Sequence, residues 1–162
     1  MITVEKVGPE AIPAIKNLAN IIWPATYLEI ITAQQVDYMM ELMYSSSSLQ
    51  KQMEKGHQFI VAYEDKTPVA FAAYSPKENT PGVFHLHKIY ILPNKQGKGI
   101  GKTLMAYIKN DIAPAVTLQL NVNRQNKALQ FYQRLGFKII SQEDFDIGNG
   151  FYMNDYVLEL SW

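Results

Sequence analysis

At 162 residues the chain has the length of one domain with a substantial core, and nothing in it marks a second. Its 15 basic and 15 acidic side chains cancel, so no global field draws a polyanion and general nucleic-acid binding is disfavoured. The absence of cysteine excludes disulfides, thiolate metal sites and a cysteine nucleophile, and it suits a reducing cytoplasm.

Met1 to Pro9 mixes charge with short apolar residues, and no later run approaches the roughly 18 apolar residues that cross a bilayer. A soluble cytoplasmic protein without a membrane segment is expected. From Glu10 to Ile22, Ile12, Ile15, Leu18, Ala19 and Ile22 follow helical spacing, which Pro24 is expected to end. Val36, Met39, Met40 and Met43 give a second helical stripe, with the methionines read as core filler. Ser45 to Ser48 reads as a break with a later serine capping a third helix from Leu49 to Glu54. Phe59–Tyr63, Val69–Tyr74 and Phe84–Leu92 are rich in aromatic and β-branched residues between turn-prone pieces, so they predict neighbouring antiparallel strands. Leu104, Ile108 and Ile112 then predict a helix up to Pro114, Val116–Val122 a strand, and Asn126–Leu135 a helix closing at Gly136. Phe137–Ile140 and Tyr152–Leu160 are read as the last two strands, with Gly148, Asn149 and Gly150 at a hairpin tip. Together these elements predict a single mixed α/β domain, residues 1–162, built around one sheet.

The most informative stretch runs from Ile89, Tyr90 and Ile91 through Gln96, Gly97, Lys98, Gly99, Ile100, Gly101 and Lys102, a strand entering a glycine-rich turn and then a helix. Exposed amides at a helix start, with the dipole behind them, make a site for phosphate. Glycines allow close approach, and Lys98 and Lys102 add positive charge. A nucleotide P-loop would need glycine where Gln96 stands, five residues before Gly101, Lys102 and Thr103. A dinucleotide fingerprint from Gly97 and Gly99 would need a small residue at Lys102. What remains is Gln96-x-x-Gly99-x-Gly101.

A second segment stands downstream: a strand carrying Asn121, then Asn126, Ala128, Phe131, Tyr132, Gly136 and Phe137. With both motifs in this order, the chain resembles the GCN5-related N-acetyltransferase (GNAT) superfamily, specifically over Phe84 to Phe137. The resemblance implies an α+β acyl-CoA N-acyltransferase fold: a mixed, mostly antiparallel sheet with splayed central strands flanked by helices. It implies acetyl-CoA as the cosubstrate and a small-molecule amine as acceptor, with a protein N-terminus, an amino acid or an antibiotic as alternative acceptors. Ile89 to Leu92 would hold the pantetheine arm, Gln96 to Lys102 the pyrophosphate, and Asn121 and Asn126 would stand beside the cofactor. Tyr132 would be the general acid for the departing thiolate, since a phenol with an ordinary pKa of about 10 is protonated at neutral pH. A homodimer is a family expectation.

An alkylamine of pKa about 10.4 costs roughly 4.6 kcal/mol to hold neutral at pH 7, which calls for a base or a desolvated site. His85 and His87 sit two apart on the strand entering the motif, so regular pleating would put them on one face. The superfamily often carries a glutamate there, and this chain has Leu86, His87 and Lys88 instead. His87 is the candidate base, with ordinary packing as the alternative. Two histidines without a carboxylate are too few for a metal, so none is expected. The last stretch, Phe145 to Leu160, is similar to family members that acetylate spermidine or spermine, and Glu143, Asp144, Asp146 and Asp155 would either attract a cation or simply be solvated. By the same resemblance Trp23, Tyr27 and Tyr38 would shape the acceptor pocket. Two other classes keep parts of the pattern: a noncatalytic acyl-CoA sensor, which needs no Tyr132, and a nucleotide switch, which Gln96 disfavours.

Overall fold

A computed structural model describes all 162 residues. In chain order the elements are β1 (Ile2–Val7), α1 (Ile12–Tyr27), α2 (Ala33–Tyr44), α3 (Ser46–Glu54), β2 (Gln58–Glu64), β3 (Thr67–Pro76) and β4 (Val83–Ile91). They continue with α4 (Ile100–Ile112), β5 (Thr117–Asn123), α5 (Ala128–Arg134), β6 (Lys138–Gly148) and β7 (Phe151–Ser161). The strands form one seven-stranded sheet in the order β1-β2-β3-β4-β5-β7-β6, parallel only between β4 and β5. This is the mixed, mostly antiparallel α+β sheet the motifs imply.

The sheet is covered on both faces, which explains why β2 and β3 read as continuous apolar runs rather than alternating ones. Ile60, Ala62, Ala70 and Ala72 point to one face, where Leu104, Met105 and Ile108 of α4 and Tyr132 of α5 pack. Phe59, Val61, Phe71 and Ala73 point to the other, against Ile15, Ile22 and Trp23 of α1, Met39 of α2 and Leu49 of α3. No helix is long and apolar enough to cross a membrane.

Three local expectations are corrected, and one further strand appears. Pro24 does not end α1, which continues to Tyr27: Trp23 and Tyr27 are buried on the same face, and their packing outweighs the one backbone bond a proline removes. Ser45 itself caps α3, accepting from the Ser48 amide at 3.1 Å, so the serines after it are helical. Met1 to Pro9 contains β1, an edge strand paired to β2 from Ile2 against Glu64 to Val7 against Phe59. The strand predicted over Phe137–Ile140 runs on to Gly148 because β7 pairs with it along most of its length.

Candidate active site

Parallel pairing of β4 and β5 covers only four residue pairs, Val83–Leu86 against Thr117–Leu120. Beyond Leu86 the two strands separate, leaving the β4 edge from His87 to Ile91 and the end of β5 facing a cleft of about 740 Å³. Each pleated strand there presents backbone donors and acceptors with no neighbouring strand to take them, so an extended polar arm is the natural occupant.

At the far end of that cleft lies the glycine turn. Gly97 and Gly99 are left-handed, with φ of +79° and +82°, and a Cβ at either would meet nothing within 4 Å, so the main chain borders open space. Gly99 is the N-cap of α4, and the first amide to find a helical acceptor is Thr103, on the Gly99 carbonyl at 3.1 Å. The amides of Ile100, Gly101 and Lys102 are therefore left for a ligand. Gln96 is tied back to the Ile91 carbonyl at 3.3 Å, which fixes where the strand enters the turn. Gly101 has a different reason to be glycine: a Cβ there would stand 2.8 Å from Phe131 Cζ, so it sets the approach of α5 to α4.

Of the residues singled out from sequence, Ile89, Tyr90, Ile91, Gln96, Gly97, Gly99, Ile100, Gly101, Lys102, Asn121, Asn126, Tyr132 and His87 all line this cleft, and Lys98 does not. Asn126 accepts the Ala128 amide at 2.9 Å and so starts α5 two residues later than periodicity indicates, while its Nδ2 donates to the Tyr27 hydroxyl at 3.5 Å. Tyr27 and Tyr90 hydroxyls meet at 3.0 Å. Tyr132 is buried, and that burial pushes its phenol up, so it stays protonated at neutral pH.

A second cavity of about 330 Å³ shares Tyr27, Leu86, His87, Lys88, Tyr90 and Asn121 with the cleft and extends beneath α1 and α2. Trp23 and Tyr27 line it, while Tyr38 instead donates to the Ile147 carbonyl at 2.6 Å and ties α2 to the β6–β7 hairpin. A β-bulge shapes its floor: Ala73 pairs with Lys88 and Tyr74 with Leu86, so His87 is an extra residue in β4. In a regular strand His85 and His87 would share a face with Ile89. The bulge instead brings His85, His87, Lys88 and Tyr90 to this cavity and turns Ile89 to the other core.

Electrostatics here is set by burial. His87 stacks on His57 at 3.9 Å between ring centroids and shares a 2.7 Å hydrogen bond with Ser75. Burial, with His57, His85 and Lys88 around it, brings its pKa down to about 2, so it is neutral. His85 is lowered to about 4, first by burial and then by Lys77. Lys88 is only 8% exposed, donates to Gln52 at 2.7 Å and lies over the rings of Tyr44 and Phe59; burial lowers it to about 8. On the opposite wall Asp155, 2% exposed, is raised to about 6 by burial despite the nearby Arg124. No group of three or more His, Cys, Asp or Glu side chains is placed to hold a metal.

His57 and Lys88 were not among the site candidates from sequence. Lys88 carried a usable signal, a lysine in the middle of the apolar strand Phe84–Leu92, but the bulge that aims it has none. In the sequence Asp155 is one of several acids near a loop, although its inward place between Met153 and Val157 on β7 sets it apart.

Splayed parallel strands, a phosphate-ready glycine turn and a buried phenol beneath them define the acyl-CoA N-acyltransferase class. The family profile described as "Acetyltransferase (GNAT) domain" matches residues 27–160, and this chain belongs to that family. It is 27% identical over 160 residues to the spermidine N(1)-acetyltransferase of Thermoplasma acidophilum, covering 94% of this chain and 95% of that protein. Over 63 residues it is 38% identical to the peptidyl-lysine N-acetyltransferase YjaB of Salmonella typhimurium, covering 38% of this chain and 41% of that protein. The matched stretches span less than two thirds of several such relatives, 41% of the Salmonella protein and 54% of its Escherichia coli counterpart. Among solved structures, the PaiA N-acetyltransferase of Thermoplasma acidophilum in complex with coenzyme A superposes with a TM-score of 0.83 at 24% identity, covering 100% of this chain and 99% of that one.

Proposed function

We propose that this chain transfers the acetyl group of acetyl-CoA to the primary amine of a small molecule. The observation that carries the reading is the cleft between β4 and β5, which joins unpaired strand edges, the free amides of Ile100 to Lys102 and Tyr132 in one continuous groove. These residues fit coenzyme A: a left-handed glycine turn for a pyrophosphate and a strand edge for an extended amide-bearing arm. When bound, acetyl-CoA supplies the acetyl thioester.

In this reading the chain's own groups do three things. Backbone amides of the turn hold the phosphates, and the β4 edge aligns the arm toward the second cavity. Tyr132, kept protonated by burial, gives its proton to the departing sulfur. The second cavity would favour the acceptor amine in its neutral form for the reason that holds for the Lys88 amine on its wall, which burial lowers to about 8. At pH 7 the cost of neutrality for such an amine falls from roughly 4.6 to roughly 1.4 kcal/mol, at 1.36 kcal/mol per pKa unit. His87 enters the proposal as a hydrogen-bonding wall, because a histidine lowered to about 2 is too weak a base for the role its place on the strand led us to expect.

A polyamine such as spermidine or spermine is the acceptor supported by the full-length likeness to a spermidine enzyme. A cytoplasmic site of action, which the lack of cysteine fits, and a homodimer, to be checked by light scattering, belong to the same proposal.

Thiol release from acetyl-CoA tests it, with a panel of polyamines, amino acids and peptides and a colorimetric thiol reagent; the chain adds no thiol background. Tyr132→Phe is expected to lower turnover by about 10²–10⁴-fold while coenzyme A still binds. Tight binding with no release across the panel would favour a sensor.

A further inference from the structure

Only two buried side-chain polar atoms in the protein lack a hydrogen-bond partner, His57 Nδ1 and Asp155 Oδ2, and both residues line the smaller cavity. Buried polar atoms are rarely left unpaired, so two in one cavity call for a ligand that completes them. A third group belongs with them. Lys88 is buried, lines the same cavity and makes no ion pair; the four ion pairs of the protein involve the N-terminus, Lys6, Lys95 and Arg124. Its one hydrogen bond, to Gln52, leaves ammonium donors free.

These groups are sorted by charge. Lys88 on β4 and His57 just before β2 form a donor wall, and Asp155 on β7 forms an acceptor wall. A bare polyamine would satisfy Asp155 but set a second ammonium against Lys88 with no anion to pair it. We propose that the acceptor is a small ω-amino acid, its amine seated at Asp155, whose carboxylate takes up the proton the amine must lose before it attacks, and its own carboxylate on Lys88 and His57. In the sheet order β4 and β7 are separated by β5, and β4 has already splayed from β5 at Lys88, so the walls stand at least two strand spacings, about 10 Å, apart and an amine and a carboxylate separated by several bonds span them better than those of an α-amino acid. This rests on the acetyl-transfer reading and narrows its substrate class, putting amino acids ahead of polyamines.

The test uses pairs that differ only in the carboxylate: 4-aminobutyrate against propylamine, 5-aminopentanoate against butylamine, and lysine against cadaverine, with spermidine alongside. The amino acid is expected to exceed its partner in kcat/KM by at least about tenfold, as for a buried charge pair. Lys88→Met should bring each pair within about twofold, and His57→Phe, which keeps the ring stacked on His87, should shrink the preference in the same direction. A carboxylate-free amine equal to or better than its partner, or a preference untouched by Lys88→Met, overturns the proposal. If no amine is acetylated, calorimetric titration of the coenzyme A complex separates the two readings. Binding of 5-aminopentanoate but not butylamine, lost in Asp155→Asn, upholds the pocket while the transfer reading fails; binding of neither, or of both alike, ends this one.

Discussion

Replacing Gly101 by alanine tests the packing beneath the cofactor turn. The added methyl would lie 2.8 Å from Phe131 Cζ, 3.3 Å from Phe131 Cε1 and 3.4 Å from Ile91 Cδ1, so α5 or the Phe131 ring must move. Overpacking of this kind costs about 1–3 kcal/mol, and the better helix propensity of alanine returns at most about 1 kcal/mol. A 2.8 Å approach to a packed ring belongs in the upper half of that range, so the net loss is about 1–2 kcal/mol, which for a domain of this size lowers Tm by roughly 2–8 °C. Because Tyr132 follows Phe131 on α5, the shift should also lower acetyl transfer. Melting followed by circular dichroism reads the first effect, and adding Phe131→Leu, which removes the opposing ring carbon, should restore most of it. A Gly101→Ala protein as stable as the parent, or one that Phe131→Leu makes worse, would refute the idea that this glycine exists for α5.

Two further perturbations probe the smaller cavity. Asp155 is raised in the folded protein from 3.8 to about 6, so the folded state binds more protons than the unfolded one between those values, and stability falls as pH rises through that window. Asp155→Asn removes the penalty and should stabilise by up to about 3 kcal/mol near pH 8 and by little near pH 4, read as a pH-dependent difference in Tm; a pH-independent difference would sink the argument. Trp23 donates to the buried Tyr44 hydroxyl at 3.1 Å, so Trp23→Phe loses that bond and some packing, lowering the urea midpoint by the equivalent of about 2 kcal/mol with an unchanged slope.

The sequence was most readable where periodicity and packing agree. The stripe of Leu104, Ile108 and Ile112 and the apolar runs of β2 and β3 gave helix and strands directly, because helices cover both faces of that part of the sheet. The pattern failed where pairing rather than burial holds the strand. β1 is an edge strand with only partial burial, and Gln142 to Asp146 of β6 alternate little, yet both are fixed by their neighbours' backbones. The glycine turn was legible because its chemistry lies in the main chain, where spacing alone places the amides. The smaller cavity was not, since its walls come from α1, α2, α3, β4, β5 and β7 as well as His57, and β4 is turned by a bulge at His87.

The gap beyond Leu86 has a consequence for solubility as well as for binding. An unpaired strand edge at the rim of a sheet is a template for other chains and a route to aggregation. Here the open edge lies in the middle of a seven-stranded sheet, with β3 on one side, β5 and β7 on the other and helices over both faces. With strands on both sides and helices over both faces, this edge is less open to a strand of another molecule than one at the sheet rim would be. The protein thus keeps an adhesive backbone exposed to small molecules and hidden from its own copies.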